Sequence, residues 1–184
     1  MNIEVDWVHL EISTEINSDF DIIDGKGEIL NYNEDDTYES LGYITFSVIN
    51  QSLINNNDFI NVFDITGDHM VLYSHIEDYL KGDKNDIEGL LFGSLVTFNE
   101  INIKKDYRNK GIGKKIMKEF IKWSTIMDLG CIMLNALAYE EDKDNKLDAS
   151  RRLQKFYQDV GFDTLAEDED ENSFIMYYDL TLLH

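Results

Sequence analysis

The sequence predicts a mixed α/β fold, because apolar runs of period two alternate with apolar stripes of helical period along its 184 residues. Three stretches carry this reading. Tyr38–Ile49 sets Ile44, Phe46 and Val48 on one face and Thr45 and Ser47 on the other. Residues 90–103 alternate through Leu95, Thr97, Asn99, Ile101 and Ile103. Directly afterwards Ile112, Ile116, Phe120, Trp123 and Met127 recur at the spacing of a helix. There is no internal repeat, linker or proline, so one domain spanning 1–184 is expected, large enough to bury a sizeable core.

In chain order, residues 3–13 read as a first strand. Ile3, Val5 and Trp7 share a face, and a change of phase at Val8, Leu10 and Ile12 indicates a bulge. Phe20–Ile23 and Glu28–Tyr32 flank Asp24-Gly25-Lys26-Gly27, a hairpin signal. The strand 38–49 follows. From Asp68, Leu72, Tyr73, Ile76, Tyr79 and Leu80 predict a helix ending at Gly82. After the strand 90–103, a helix is expected from about Gly111 to Asp128. Cys131–Ala138 then reads as a strand buried on both faces. Glu140–Lys146 reads as a charged loop. Asp148 is placed as the cap of a helix with Leu153, Phe156, Tyr157 and Val160 on one face, closed by Gly161. Phe162–Leu165 and Phe174–Leu182 are the last strands, with the acidic run Glu167–Glu171 between them as a solvated tip.

Composition narrows the function classes. A hydrophobic content of 43 % excludes a disordered acidic chain. No apolar run is long enough to span a bilayer, and Met-Asn-Ile-Glu-Val-Asp lacks the basic start of a signal peptide. A single cysteine, Cys131, cannot form an internal disulfide, which fits a cytoplasmic location, and its apolar neighbours read as core. His9, His69, His75 and His184 form no metal-ligand spacing with it, so no metal site is expected. A net charge of −21 argues against nucleic acid as a partner. It favours a cationic acceptor, unless it marks only a solvated acidic surface.

Against that background one stretch stands out. Lys104, Lys105, Arg108, Lys110, Lys114, Lys115, Lys118 and Lys122 are eight of the 16 Lys and Arg in the chain. Only Asp106 and Glu119 oppose them, so this stretch is +6 and the remainder −27. The charge gathers where a strand meets a glycine turn and a helix begins. The unpaired N–H groups and dipole of a helix N-terminus favour an anion there. Gly111 and Gly113 let the backbone approach a ligand or take positive φ. A Walker loop is excluded because Lys115 stands where Ser or Thr belongs. The dinucleotide pattern is excluded because Ile116 replaces its third glycine.

What remains is Arg108-x-x-Gly111-x-Gly113 between strand and helix, preceded by Glu-Ile-Asn-Ile and followed downstream by Tyr157-Gln-Asp-Val-Gly161-Phe162. Over about residues 90–180 this resembles the GNAT family of acyl-CoA-dependent N-acyltransferases. The resemblance implies a central mixed, mostly antiparallel sheet of about seven strands, with helices on both faces. It also implies acetyl-CoA as co-substrate and direct transfer to a primary amine, of a small molecule or a peptide. The backbone around Asn109, Lys110, Gly111, Ile112, Gly113 and Lys114 would hold the pyrophosphate, with Arg108 orienting the loop. The N–H groups near Ile101 and Ile103 would meet the thioester oxygen and pantetheine arm. Tyr157 stands where the family's tyrosine protonates the leaving thiolate; the alternative is a core aromatic on a helix stripe. Glu100 stands where many members carry the base; a surface carboxylate, with a water as base, is the other reading. Ser150 replaces an asparagine that often binds the cofactor. The family often dimerises, so a homodimer is open.

Residues 1–89 are less typical. The family usually places two helices between its first two strands, whereas residues 14–40 read as hairpin, so the acceptor side differs. Two other readings remain from other classes. One is an inactive GNAT-fold module that binds CoA or a protein. The other is an acidic nucleic-acid mimic, which leaves the basic glycine turn without a purpose.

Overall fold

The computed structural model describes residues 4, 7–17, 22–33, 37–50, 72, 75, 93–138 and 143–181. Within them lie strands β1 (Val8–Asn17), β2 (Ile22–Tyr32), β3 (Tyr38–Ile49), β4 (Leu95–Ile103), β5 (Cys131–Ala136), β6 (Asp163–Asp168) and β7 (Ser173–Asp179). Two helices, α1 (Ile112–Ile126) and α2 (Lys143–Gln158), are interleaved with the later strands. The strands form one sheet in the order β1-β2-β3-β4-β5-β7-β6. Every pairing is antiparallel except β4 with β5, which α1 connects. This is the expected mixed sheet. The predicted helix 68–82 lies outside the described residues apart from Leu72 and His75, both helical, with Leu72 buried.

Side-chain periodicity explains the layering. Ile112, Ile116, Met117, Phe120 and Ile121 of α1 are buried, and each fully buried apolar side chain contributes roughly 1.5–3 kcal/mol. Phe120 packs at 4.9 Å from Phe46 of β3 and 5.2 Å from Phe98 of β4, ring centre to ring centre, and Trp123 lies 5.2 Å from Phe46. Tyr157 of α2 and Val160, in the turn just beyond it, join the same core as Ile132, Leu134, Phe174 and Met176. Both described helices therefore cover one face of the sheet. On the other face Leu95, Thr97, Cys131, Met133 and Ile175 are buried as well.

Three expectations change. Asp24-Gly25-Lys26-Gly27 is not a hairpin but the middle of the continuous strand β2, paired on both sides. The glycines make room for neighbours. A Cβ on Gly25 would stand 2.1 Å from Phe46, and one on Gly27 would stand 2.7 Å from Ile44 and from Leu10. The first strand begins at Val8 rather than residue 3, with Val8, Leu10 and Ile12 inward and Trp7 exposed. Helix α2 begins at Lys143, so Asp148 lies inside it instead of capping it, and Leu147 before it already packs on the core.

Residues 14–40 read as a hairpin in sequence; the described ones form instead the end of β1, all of β2 and the start of β3, with no helix among them.

Candidate active site

β4 is bulged. Its register on β3 steps from Phe98 opposite Phe46 to Glu100 opposite Thr45, so Asn99 is the inserted residue. The step inverts the alternation predicted for this strand. Leu95 and Thr97 lie on one face, whereas Ile101 and Ile103 lie on the face of Val96 and Phe98 and pack on the α1 core. Glu100 and Asn102 consequently face away from α1.

β4 also parts from β5. The parallel pairing covers only Leu95–Phe98 against Cys131–Leu134, and β4 continues five residues further. Lys104 N–H donates to Leu41 O on β3, so by strand alternation the N–H groups of Ile103 and Ile101 point the other way, into the opening beside β5. Arg108 closes the lower end of this edge, donating from Nε to Ile103 O at 2.7 Å. Its guanidinium thus ties the turn to the strand.

The turn runs through a single 3-10 turn, Lys105–Tyr107, and then two left-handed residues, Asn109 at φ 61° and Gly111 at φ 79°. Gly111 is the N-cap of α1. Among the described residues no acceptor pairs with the N–H groups of Asn109, Lys110, Gly111, Ile112, Gly113 or Lys114; the first bonded amide is Lys115 N–H, to Gly111 O at 3.2 Å. Successive amides in such a turn, leading into a helix N-terminus, form an anion-binding concavity. A Cβ on Gly111 would meet nothing within 4 Å, so the space in front of it is open. Gly113 serves differently. A Cβ there would press at 3.3 Å on Phe156 and 3.4 Å on Ile103, so this glycine seats α1 against α2 and β4.

Basic side chains frame the turn. Lys114, Lys115, Lys118 and Lys122 line, with Gly111 and Glu119, an open hollow of about 480 Å³ along α1. Lys115 lies 3.8 Å from Glu119, whose other oxygen accepts Leu10 N–H of β1. Lys110 lies 5.4 Å above the Tyr107 ring.

Tyr157 sits at the last turn of α2. The chain reverses at Gly161, φ 109°, where a Cβ would stand 2.9 Å from Tyr178, and Phe162 N–H returns to Tyr157 O at 3.1 Å. The rings of Tyr157 and Phe162 meet edge to face at 5.6 Å. Tyr157 is buried, its hydroxyl has no hydrogen-bond partner among the described residues, and burial pushes the phenol above its usual value. It holds its proton at neutral pH and has no competing acceptor for it.

Glu100 is exposed rather than enclosed by apolar residues. Its carboxylate accepts from Tyr43 Oη, 3.1 and 3.2 Å from its two oxygens, and from Asn102 Nδ2 at 3.3 Å. The sequence reading missed Tyr43, which is 57 residues away in the chain. Ser150 departs from its expected place at the cofactor. It is fully buried and its Oγ accepts Ala138 N–H at 3.2 Å, fastening the end of β5 to α2. Cys131 is buried on β5, and burial pushes its thiol up, the behaviour of a core residue.

A split pair of parallel strands, an amide-lined turn at the start of the connecting helix and a tyrosine closing the next helix recur together in one enzyme family. Residues 71–164, more than half the chain, match the model of the acetyltransferase (GNAT) domain. No curated protein matches. Among solved structures the chain is similar to arylalkylamine N-acetyltransferase 2 from Aedes aegypti, with a TM-score of 0.52 at 12 % identity over 84 % of this chain and 73 % of that one. It is also similar to NAA60 from Arabidopsis thaliana in complex with acetyl-CoA, with a TM-score of 0.49 at 15 % identity over 84 % and 76 % of the two chains. The domain match, carried by the same strand, turn and helix that build the site, makes the chain a member of the GNAT acetyltransferase family.

Proposed function

We propose that the protein transfers an acetyl group from acetyl-CoA directly to a primary amine. The observation that carries this reading is the run of six amides, Asn109 to Lys114, unpaired among the described residues and opening beside the gap between β4 and β5. The amides hold the pyrophosphate, and the lysine-lined hollow along α1 takes the phosphates of the nucleotide end. The pantetheine arm enters the gap and pairs with the free edge of β4, where the N–H groups of Ile101 and Ile103 meet the thioester oxygen and stabilise it as charge develops.

An alkyl ammonium, with a pKa near 10.4, must lose a proton before it can attack. Glu100 takes that proton, directly or through a water, from an acceptor approaching the face turned away from α1. The nitrogen lone pair attacks the thioester carbon, the C–N bond forms, Glu100 returns the first proton to solvent, and the nitrogen passes its second proton to the freed carboxylate. The C–S bond then breaks and the thiolate takes a proton from Tyr157, which regains one from solvent. No covalent enzyme intermediate is needed. The acidic surface supports a cationic acceptor, since −27 charges lie outside the basic turn.

Calorimetry with acetyl-CoA tests the donor site. A panel of alkylamines, polyamines and short peptides, followed by release of free thiol, tests transfer. Binding with turnover is expected. Binding with no turnover on any amine favours an inactive CoA-binding module, and no binding ends the transferase reading.

A further inference from the structure

We infer that Tyr43 is a positioning residue for the acceptor: it holds the Glu100 carboxylate in one orientation at the mouth of the β4–β5 gap. This rests on the proposed role of Glu100. Tyr43 stands opposite Asn102 in the β3–β4 register, and Thr45 stands opposite Glu100. The four polar side chains therefore share the sheet face turned away from α1. The hydroxyl reaches both carboxylate oxygens almost equally, and Asn102 Nδ2 reaches one of them. An exposed glutamate otherwise samples several rotamers, and a base must lie within hydrogen-bond reach of the proton it removes. Two donors on neighbouring strands fix the carboxylate without burying it, and leave its remaining lone pairs for the incoming ammonium.

The bulge at Asn99 makes this arrangement possible. Without the inserted residue Glu100 would sit on the face of α1 and Tyr43 could not reach it. The hydrogen bond also raises the Tyr43 phenol, chiefly because ionising it would remove the donor from a carboxylate. Other charged groups on this face include Glu28, opposite Tyr43 on β2, and Lys26, opposite Thr45, which pairs with Glu28 at 3.3 Å, with Glu11 and Glu15 beyond them on β1. Asp24 lies next in line, opposite Ser47, and accepts its hydroxyl at 2.8 Å. Among the described residues only Glu100 is hydrogen-bonded to the Tyr43 hydroxyl.

The test uses protein labelled with carbon-13 at tyrosine Cζ. Tyr43 is titrated by NMR above pH 8, far from the acidic isoelectric range, with Tyr43→Phe assigning its resonance. The inference predicts that Tyr43 titrates above 10 in the wild type and lower in Glu100→Gln, while Glu28→Gln leaves its titration where it was. Tyr43→Phe, which keeps the ring and its packing, lowers kcat about tenfold for the best amine of the panel and leaves that amine's KM within about twofold. An unchanged Tyr43 titration in Glu100→Gln overturns the inference, as does a Tyr43→Phe variant of unchanged kcat. Loss of acetyl-CoA binding or of all transfer in the wild type would sink the transferase reading instead, and the NMR titration would still report on the pair.

Discussion

The two sides of strand β4 present opposite chemistry, although they belong to the same nine residues. Toward α1 lie Val96, Phe98, Ile101 and Ile103, and at the end of that side the chain turns through Arg108–Gly111 into a helix carrying four lysines along an open hollow. Away from α1 lie Glu100 and Asn102, continued across the sheet by Tyr43, Glu28, Lys26 and Asp24. One side is built from backbone amides and cations and suits a polyanion. The other is built from carboxylates and hydroxyls and suits an ammonium group. A single inserted residue, Asn99, separates them by inverting the phase of the strand, and in the proposed reaction donor and acceptor meet at the gap from opposite faces.

The most damaging change on the α1 side is expected at Tyr157. Tyr157→Phe removes the proton donor but no hydrogen bond within the described residues, so kcat falls by about 10²–10³ while folding and acetyl-CoA affinity stay close to wild type. Because burial holds the phenol above 10, the wild type should show no alkaline loss of kcat from this group below about pH 10. Steady-state kinetics from pH 6 to 10 check both statements. A Tyr157→Phe enzyme with full kcat would leave the ring as core packing only.

A structural substitution sharpens the comparison on the α1 side itself. Gly25→Ala drives a methyl group into Phe46, which is itself fixed between Phe120 and Trp123. Overpacking of this kind costs about 1–3 kcal/mol, and Tm by calorimetry should fall by roughly 5 °C. If Gly25 were a hairpin residue at a solvent-facing turn, the same change would barely move Tm. The smallest effect is expected along α1. Lys118→Glu with Lys122→Glu reverses exposed charges beside the hollow, and should weaken acetyl-CoA about threefold to tenfold at low salt and much less at 0.5 M salt. A salt-independent loss would mean that these side chains contact the nucleotide closely.

How much of this was legible in the sequence depended on distance along the chain. The turn at Arg108–Gly113 and the stripe Ile112, Ile116, Phe120 were readable because strand, glycine and helix are neighbours, and local pattern is enough. Tyr157 was singled out by the resemblance of Tyr157-Gln-Asp-Val-Gly161-Phe162 to the family's signature, because its spacing alone fits a core aromatic equally well. The glycines of β2 misled because their turn chemistry is local, whereas the reason for them, the Phe46 ring, lies 21 residues on. The bulge at Asn99 left no trace in the alternation of β4, since apolar residues fill both phases and only the register with β3 reveals the step. Glu100 was found, but its partner Tyr43 was not, because a cross-strand pair has no fixed sequence spacing. Ser150 was placed by analogy with an asparagine, and the structure turns it inward onto Ala138 instead.

The central claim is that backbone amides at the Gly111 turn receive the pyrophosphate of acetyl-CoA, and one pair of variants tests it. Asn and Asp tolerate the left-handed conformation better than other residues, and the space beyond Gly111 admits either side chain, so Gly111→Asn and Gly111→Asp should both fold. They differ in one negative charge facing the amides. Calorimetry with acetyl-CoA should show Gly111→Asp binding at least about tenfold more weakly than Gly111→Asn, a difference that shrinks as salt is raised. Equal affinities for the two variants, in proteins of equal thermal stability, would contradict the account and move the donor away from this turn.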